Sequence, residues 1–263
     1  MILEKLVSQG NDFLVTKTGE HSGKKSMSLM AIRLCERNFG IGADGIIWFD
    51  WEHKTNKLFC NLFNADGSEA GFSGNGFACL SSYIFSTTKT STLTIVCSGR
   101  EYQIDKEAGR IRIQCQKFAL KKSNLPTSTE IFSPQYTLVD VGNPHAVVFD
   151  NKDERIVESH FGDLSLFPDG INVNLAQICE NSIELRVHER GVGWTKSCSS
   201  GCLATAIVAH RVLRMNTPIT VKQAGGVSVV SYCEKSDSYY LELKPRWIAT
   251  VKFHADNDQA LEN

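Results

Sequence analysis

The sequence has 263 residues, 42% of them hydrophobic, and a formal net charge of −1. This is enough apolar material for a sizeable core, and the length lies between one large domain and two of about 130 residues. The even charge balance, without a long basic run, argues against nucleic acid and membranes as partners. No apolar run approaches ~20 residues, and charged residues interrupt the N-terminus, so we expect a soluble cytoplasmic protein.

Nine cysteines are scattered along the chain without a CxxC pair. This pattern is typical of reduced thiols, most of them small core residues, rather than of a disulfide framework. Cys198 and Cys202 have the i,i+4 spacing of metal ligands, but no second Cys/His pair accompanies them. We therefore expect no metal site.

The first half of the chain reads as strands and two helices. A 3.6-residue apolar period predicts a helix from Ser26 to Asn38, and a second apolar helical run follows Ser73. Strands are predicted by short apolar runs and by alternation, the later ones as antiparallel hairpins around the second helix: Met1–Leu6, Phe13–Thr16, Ile46–Phe49, Leu58–Phe63, Leu93–Cys97, Glu101–Ile104 and Arg110–Gln116.

A polar, Pro- and Ser-bearing stretch from Lys121 to Gln135 is the candidate linker to the second half. Beyond it, a helix is predicted after Cys198. The same kinds of pattern predict strands and closing hairpins at Tyr136–Val141, Ala146–Phe149, Ile171–Leu175, Ser182–His188 and within Ile219–Phe253.

The two halves repeat each other. The run beginning at Cys198 (CSSGCL) resembles the run beginning at Ser73 (SGNGFACL), 125 residues earlier, and both precede a helix. Gly142-Asn143 repeats Gly10-Asn11 at an offset of 132 residues, so the two offsets differ by only the length of a loop. A duplication of this kind brings equivalent loops together in a cleft between two halves, where ligands tend to bind.

Two helix N-termini at one cleft would bind an anion such as a carboxylate through unpartnered N–H groups. Ser73 and Cys198 would then flank the carbon beside that carboxylate. One group could remove its hydrogen and the other return a proton to the opposite face, which inverts the stereocentre without a cofactor.

The motifs of this chain resemble, in order and over nearly the whole length, those of the diaminopimelate epimerase family of cofactor-independent racemases and epimerases. The matching stretches are GNDF at Gly10, GIGAD at Gly40, NADGSEA at Asn64, GNG at Gly74, GNPH at Gly142 and ERGVG at Glu189. Together with the repeat, the resemblance implies an α/β (α+β) fold of two pseudo-symmetric domains. Each would be a curved, mainly antiparallel sheet around a central helix, with one domain at 1–118, joined by 254–263, and the other at 119–253.

The resemblance also implies site residues. Cys198 matches one catalytic thiol, Ser73 stands where the family has the other, and His145 and Glu189 lie beside them. Substrate-binding positions match the backbone amides of Gly74, Asn75, Ser199 and Ser200 and the side chains of Asn11, Asn64, Asn143, Asn172, Glu189 and Arg190. A planar guanidinium is suited to a second carboxylate. The implied reaction interconverts LL- and meso-diaminopimelate for lysine and peptidoglycan synthesis, with no cofactor and no metal.

Several positions depart from the family pattern. A serine hydroxyl at position 73 is a far poorer base than a thiolate. Gly45 stands where the family has a substrate-lining Gln, Trp194 where it has Glu, and Ser199 where it has Gly; Gly71-Phe72 and Ala78 also differ.

Several site residues also have a plain structural interpretation. Ser73 alone is a good helix N-cap, the three asparagines are good turn formers, and His145 could be a core histidine. Two functional alternatives stay open: a racemase, isomerase or lyase acting on another amino acid such as glutamate, and a catalytically silent protein that binds a dicarboxylic amino acid. The expected partner is a small amino-acid substrate, and pairing into a homodimer is left open.

Overall fold

A computed structural model of the protein describes residues 1–19, 23–115, 117–123, 135–150 and 153–254. The first half contains nine strands and two helices: β1 (Ile2–Ser8), β2 (Asn11–Lys17), α1 (Lys24–Cys35), β3 (Gly45–Glu52), β4 (Lys57–Asn64), β5 (Glu69–Ala70), α2 (Gly74–Thr87), β6 (Thr92–Cys97), β7 (Arg100–Glu107), β8 (Arg110–Cys115) and β9 (Ala119–Ser123).

The second half repeats this order, with a short π-helical turn, Val157–Phe161, in the place of α1. Its elements are β10 (Tyr136–Asp140), β11 (Pro144–Phe149), β12 (Asn172–Cys179), β13 (Ser182–Glu189), β14 (Gly193–Thr195), α3 (Ser199–Arg211), β15 (Ile219–Gln223), β16 (Gly226–Cys233), β17 (Ser238–Leu243) and β18 (Arg246–Lys252).

Strand pairing is the same in both halves. In the first, β1 and β2 are antiparallel, β2 and β3 parallel, β3 and β4 antiparallel, β4 and β6 parallel, and β6, β7 and β8 form an antiparallel meander. The strands from β10 to β17 pair in the equivalent way. The predicted fold class and the internal repeat are therefore confirmed.

The two halves exchange their last strands. β9 pairs antiparallel with β10, and β18 pairs antiparallel with β1, while β8 and β17 join the two meanders. Within the part of the chain that the structure describes, the result is one sheet of 18 strands. β18 belongs to the segment that the sequence assigns to the second domain, yet its partner is the first strand of the chain. The division into two domains itself stays a prediction.

In each half, the sheet closes around one helix because that helix is apolar on nearly every side. Phe77, Leu80 and Ile84 of α2 and Leu203 and Ile207 of α3 are at most 2% exposed, in one continuous core. Burying side chains of this size contributes roughly 1.5–3 kcal/mol each. α1 packs on the outer face of β3, where its Leu34 contacts a separate cluster. The core thus holds α2 and α3 in place within the two halves.

α1 ends three residues earlier than the sequence predicts. Its last residue is Cys35, and the carboxylate of Glu36 accepts hydrogen bonds from the backbone N–H groups of Asn38 and Phe39. A side chain that binds backbone N–H groups competes with the next helical turn, and no period of apolar residues shows this.

The predicted linker lies partly outside the described residues. Its first residues, Lys121–Ser123, complete β9, and its last, Gln135, precedes β10; 124–134 are not described, and neither are 255–263. Among the helices that the structure describes, none is long and apolar enough to span a membrane.

Candidate active site

The N-termini of α2 and α3 meet between the two halves. Ser73 caps α2 and Cys198 caps α3, and both residues have extended backbone conformations. Ser73 Oγ accepts a hydrogen bond from Gly76 N at 3.1 Å, and Cys198 Sγ accepts one from Gly201 N at 3.4 Å. The two residues that the repeat aligns therefore have the same role in their helices.

Small residues allow this close approach. A Cβ atom on Gly74 would lie 2.6 Å from Ser199 Oγ, so the first residues of the two helices are in contact. The first N–H groups of a helix have no carbonyl partner within it and form a partial positive charge. The amides of Gly74, Asn75, Ser199 and Ser200 lie in these two first turns, where an anion would be stabilised from both sides.

The Cys198 thiol is almost completely buried, with 4% of the residue exposed. Its Sγ atom lies 3.3 Å from Ser200 Oγ, and its backbone N–H donates to Gln223 Oε1 at 3.1 Å. Burial, and then the negative charge of Glu189, raise the pKa of the thiol well above its ordinary value. Without a ligand, the thiol is therefore protonated at neutral pH.

His145 is fully buried and is connected to Cys198 through the hydroxyl of Ser200. Its Nδ1 is 2.9 Å from Asn174 Oδ1, and its Nε2 is 3.1 Å from Ser200 Oγ. Burial lowers the pKa of His145 to about 4, although Asn174 and Asp140 favour the charged form. The ring is neutral at physiological pH.

A cleft of about 1120 Å³ opens between the halves, large enough for a small amino acid. Seven of the predicted site residues line it: Asn11, Asn64, Ser73, Asn143, Asn172, Glu189 and Arg190. The other six are buried: Gly74, Asn75, His145, Cys198, Ser199 and Ser200. Seven of the predicted residues thus line the cleft, and six are buried.

Arg190 is positioned by two neighbouring segments. Its backbone N–H donates to Asn172 Oδ1 at 3.0 Å, and its guanidinium donates to the carbonyl oxygen of Asp169 at 3.0 Å. Asn172 is itself held by Pro144, whose carbonyl oxygen accepts from Nδ2 at 2.8 Å. The guanidinium retains further N–H donors for a carboxylate in the cleft.

The remaining lining residues differ in how they are held. Glu189 accepts a hydrogen bond from Thr195 Oγ1 at 2.6 Å, and Asn64 Nδ2 donates to Ser68 Oγ at 2.9 Å. The equivalent residues Asn11 and Asn143 each have a buried carbonyl oxygen without a hydrogen-bond partner in the described part of the chain. These two oxygens could accept hydrogen bonds from a ligand.

The side chain of Asn75 joins the halves. It accepts from Ser8 Oγ at 3.0 Å and donates to Ser197 Oγ at 3.1 Å, and Ser197 donates to Gln9 Oε1 at 2.9 Å. These contacts occupy the side chain of Asn75. Its backbone amide remains the group that can bind substrate, as the sequence predicts.

Two departures from the family pattern have a local physical reason. A Cβ atom on Gly45 would lie 2.8 Å from the carbonyl oxygen of Phe63 and 3.0 Å from the ring of Phe13, so this position has no room for a side chain. Trp194 is 39% exposed, and the guanidinium of Arg186 lies 4.5 Å from its ring centroid. It packs at the surface by a cation–π contact.

Sequence reasoning missed Asn174 and Gln223. Asn174 is fully buried and contacts His145, whereas Gln223 contacts the backbone of Cys198 and the thiol of Cys202. One signal was present: Asn174 is a polar residue within a strand that is otherwise buried, at the period-2 position after Asn172. Within the described ranges, no three His, Cys, Asp or Glu side chains are grouped closely enough to hold a metal ion.

Comparison with known proteins gives a family for this site and fold. The model of the family "Diaminopimelate epimerase" matches residues 5–123 and 137–246. A diaminopimelate epimerase of Caldanaerobacter subterraneus is 31% identical, over 91% of this chain and 94% of that protein. One of Rickettsia bellii is 30% identical, over 82% of this chain and 85% of that protein.

The fold is also found among solved structures. A predicted epimerase from Pseudomonas aeruginosa superimposes with a TM-score of 0.73 at 11% identity, over 96% of this chain and 98% of that one. At this identity the likeness concerns the fold alone, whereas the sequence matches cover both halves and the site motifs. The chain is an isomerase and belongs to the diaminopimelate epimerase family.

Proposed function

We propose that this protein interconverts LL- and meso-diaminopimelate by acid/base transfer of the α-hydrogen, without a cofactor, as a step toward lysine and peptidoglycan precursors. The observation that carries the proposal is the contact between two helix N-termini, one capped by Ser73 and the other by Cys198. Membership of the family supports the substrate.

The reacting carboxylate would bind to the first-turn amides of α2 and α3. Hydrogen bonds from both helices, together with two partial positive charges, would stabilise the negative charge that develops when the α-hydrogen leaves. Burial of Cys198, Ser199 and Ser200 excludes water from this position, and electrostatic stabilisation is stronger in such a site.

The far carboxylate would bind where Arg190 and Asn172 line the cleft. Arg190 can donate paired hydrogen bonds to a carboxylate, and its position is fixed by Asn172 and Asp169. Asn64 and Asn143 lie in the same lining and add polar contacts. A substrate with only one carboxylate would leave the guanidinium unpaired, which favours a dicarboxylic amino acid.

The two proton-transfer groups are chemically unequal. Cys198 can act as an acid when its thiol is protonated and as a base when it is a thiolate, whereas the hydroxyl of Ser73 is a poor base. We therefore expect hydrogen exchange at the α-carbon to be faster from the face toward Cys198 than from the face toward Ser73. One of the two isomers should lose its α-hydrogen to solvent faster than it inverts.

Proton exchange in deuterium oxide, followed by NMR, tests the proposal. LL- and meso-diaminopimelate are offered separately to the wild-type protein and to Cys198→Ser and Ser73→Cys variants. We expect exchange by the wild-type protein, a loss of roughly 100-fold or more in Cys198→Ser, and faster inversion in Ser73→Cys.

Cys179→Ser is the control, because this cysteine is half-buried on β12 and does not line the cleft. Its exchange rates should equal those of the wild-type protein. The proposal is wrong if the wild-type protein exchanges the α-hydrogen of neither isomer, whatever Ser73→Cys does. Exchange of another amino acid in place of diaminopimelate would also overturn it.

A further inference from the structure

The hydrogen bonds of Asn174 decide which nitrogen of His145 carries the proton. The side-chain amide nitrogen of Asn174 donates to the carbonyl oxygen of Gly201 and to Thr205 Oγ1, both at 2.9 Å. The carbonyl oxygen of Gly201 can only accept a hydrogen bond, so the NH₂ group of Asn174 must point toward it. The amide oxygen, Oδ1, therefore faces His145, and this oxygen can only accept. Nδ1 of His145 must therefore be the protonated nitrogen.

The tautomer of His145 in turn orients the hydroxyl of Ser200. With Nδ1 protonated, a neutral ring has its lone pair on Nε2, which lies 3.1 Å from Ser200 Oγ. The hydroxyl proton of Ser200 is therefore donated to His145. The lone pairs of Ser200 Oγ then accept from Asn143 Nδ2 at 3.3 Å and from the thiol of Cys198 at 3.3 Å.

All hydrogen bonds from Cys198 to Asn174 thus have one direction: thiol to hydroxyl, hydroxyl to imidazole, imidazole to amide oxygen. A base oriented by a third group is the arrangement that activates nucleophiles in hydrolases. Here the hydroxyl stands between the base and a thiol, so the group that can be activated is Cys198.

We propose that Ser200 relays a proton between Cys198 and His145, and that Asn174 is the positioning residue that fixes the direction of this relay. As the proton of the Cys198 thiol moves to Ser200 Oγ, the hydroxyl proton of Ser200 moves to His145 Nε2. The products are a thiolate and an imidazolium, and the reverse movement restores the starting state. No other reactant is consumed.

The relay supplies what Ser73 cannot. A site with two thiols can share one proton between them, whereas a thiol paired with a hydroxyl needs another acceptor to become a thiolate. The charges near the relay are Asp140, which favours the imidazolium, and Glu189, which disfavours the thiolate. This inference deepens the proposed function and rests on it for the reaction, but the relay can be tested without substrate.

The first test is the tautomer of His145 in the wild-type protein. Proton–nitrogen correlation spectra of the imidazole rings distinguish a protonated Nδ1 from a protonated Nε2, and the signal of His145 is the one missing from a His145→Gln variant. We expect a neutral ring with Nδ1 protonated at pH 7. A protonated Nε2 would reverse the direction of the hydrogen bonds and overturn the proposal.

The second test is the reactivity of Cys198 with iodoacetamide, which attacks only the thiolate. Ser200→Ala removes the hydroxyl and keeps the backbone amide, so alkylation of Cys198, followed by mass spectrometry of its peptide, should slow roughly 10-fold. Ser200→Thr restores a hydroxyl and should restore the rate. Equal rates in the wild-type and Ser200→Ala proteins would overturn the relay.

Asn174→Leu tests the positioning role and has a matched control. It should slow alkylation as Ser200→Ala does and lower kcat for diaminopimelate with little change in KM, because no proposed substrate contact is lost. Thr205→Val removes one hydrogen bond of Asn174 without touching His145 and should leave both measurements unchanged. If Asn174→Leu does not fold, the tautomer of His145 and the alkylation rates of the Ser200 variants still test the relay.

These measurements separate the relay from the proposed function. Slower alkylation in Ser200→Ala together with an inactive wild-type protein would support the relay and refute the epimerase reaction. If the wild-type and Ser200→Ala proteins are both active with the same kcat, the epimerase reaction is supported and the relay is refuted.

Discussion

Burial of His145 as a neutral ring makes the stability of the fold depend on pH. Its pKa is about 4 in the folded protein, whereas an unperturbed histidine has a value of 6.5. Because the folded value is the lower one, the unfolded chain takes up the proton first as the pH falls. Stability is therefore unaffected above about pH 6.5 and is lost between pH 6.5 and 4, by about 3 kcal/mol in total.

Urea denaturation at a series of pH values measures this loss. His145→Gln keeps a polar side chain and removes the titration, so its free energy of unfolding should fall less steeply between pH 6.5 and 4. The carboxylates titrate in both proteins and cancel in the comparison. Equal slopes in the two proteins would show that His145 is protonated as readily in the folded state as in the unfolded chain.

At the scale of residues, sequence reasoning located the two helix caps but not all of the groups around them. Ser73 and Cys198 were found because the chain repeats itself, and both are N-caps in the structure. Asn174 and Gln223 were missed because their partners lie on other elements. A polar residue in a buried strand signals some hydrogen-bonded partner, but only the fold tells which one.

At the scale of elements, the contact between the first turns of α2 and α3 gives a further prediction. Gly74→Ala would place a methyl group 2.6 Å from Ser199 Oγ and 2.9 Å from Ser199 Cβ. The hydroxyl can rotate away, but Cβ cannot, so the helix N-termini must separate. We expect kcat/KM to fall roughly 10- to 100-fold, since small displacements of binding groups are costly.

A second substitution in the same contact checks the cause. Ser199→Gly removes the atoms that the new methyl group meets, so Gly74→Ala/Ser199→Gly should recover most of the lost activity. Steady-state kinetics of the wild-type, single and double variants form a double-mutant cycle. Independent effects of the two substitutions would contradict a direct contact between the helices.

The elements themselves were largely predictable, and the errors have local causes. The predicted strands and helices have counterparts in the structure, because apolar periodicity reflects burial. α1 was predicted to continue to Asn38, and the carboxylate of Glu36 explains its earlier end. The two-residue strand β5 and the three-residue strand β14 were missed, because two or three residues are too few to show a period. The strand β9 was missed as well, because its polar residues Lys121–Ser123 were assigned to the linker.

At the scale of the whole molecule, the repeat predicted two similar halves but not how they are joined. The strands β9 and β18 each pair with the first strand of the other half. The sequence of a strand does not specify which other strand it pairs with, since the hydrogen bonds between strands are made by backbone groups. The exchange makes the sheet continuous, so we expect the two halves to unfold together.

The turn between β15 and β16 is a second place where the halves hold each other. Gly225 N–H donates to the carbonyl oxygen of Lys196 at 2.7 Å, and a Cβ atom on Gly225 would overlap the carbonyl oxygen of Gln9 in the first half. Gln9 also donates from Nε2 to Ser228 Oγ at 2.6 Å on β16. Backbone atoms on both sides leave no flexible group that could move aside.

Gly225→Ala should therefore lower the free energy of unfolding by about 1–3 kcal/mol, the usual cost of overpacking, and should reduce activity because Gln9 precedes the cleft residues Gly10 and Asn11. Urea denaturation followed by tryptophan fluorescence measures the first effect. Gly23→Ala is the control, since no atom of the described residues lies within 4 Å of the added methyl group. If both variants unfold at the wild-type urea concentration, Gly225 and Gln9 do not touch in solution.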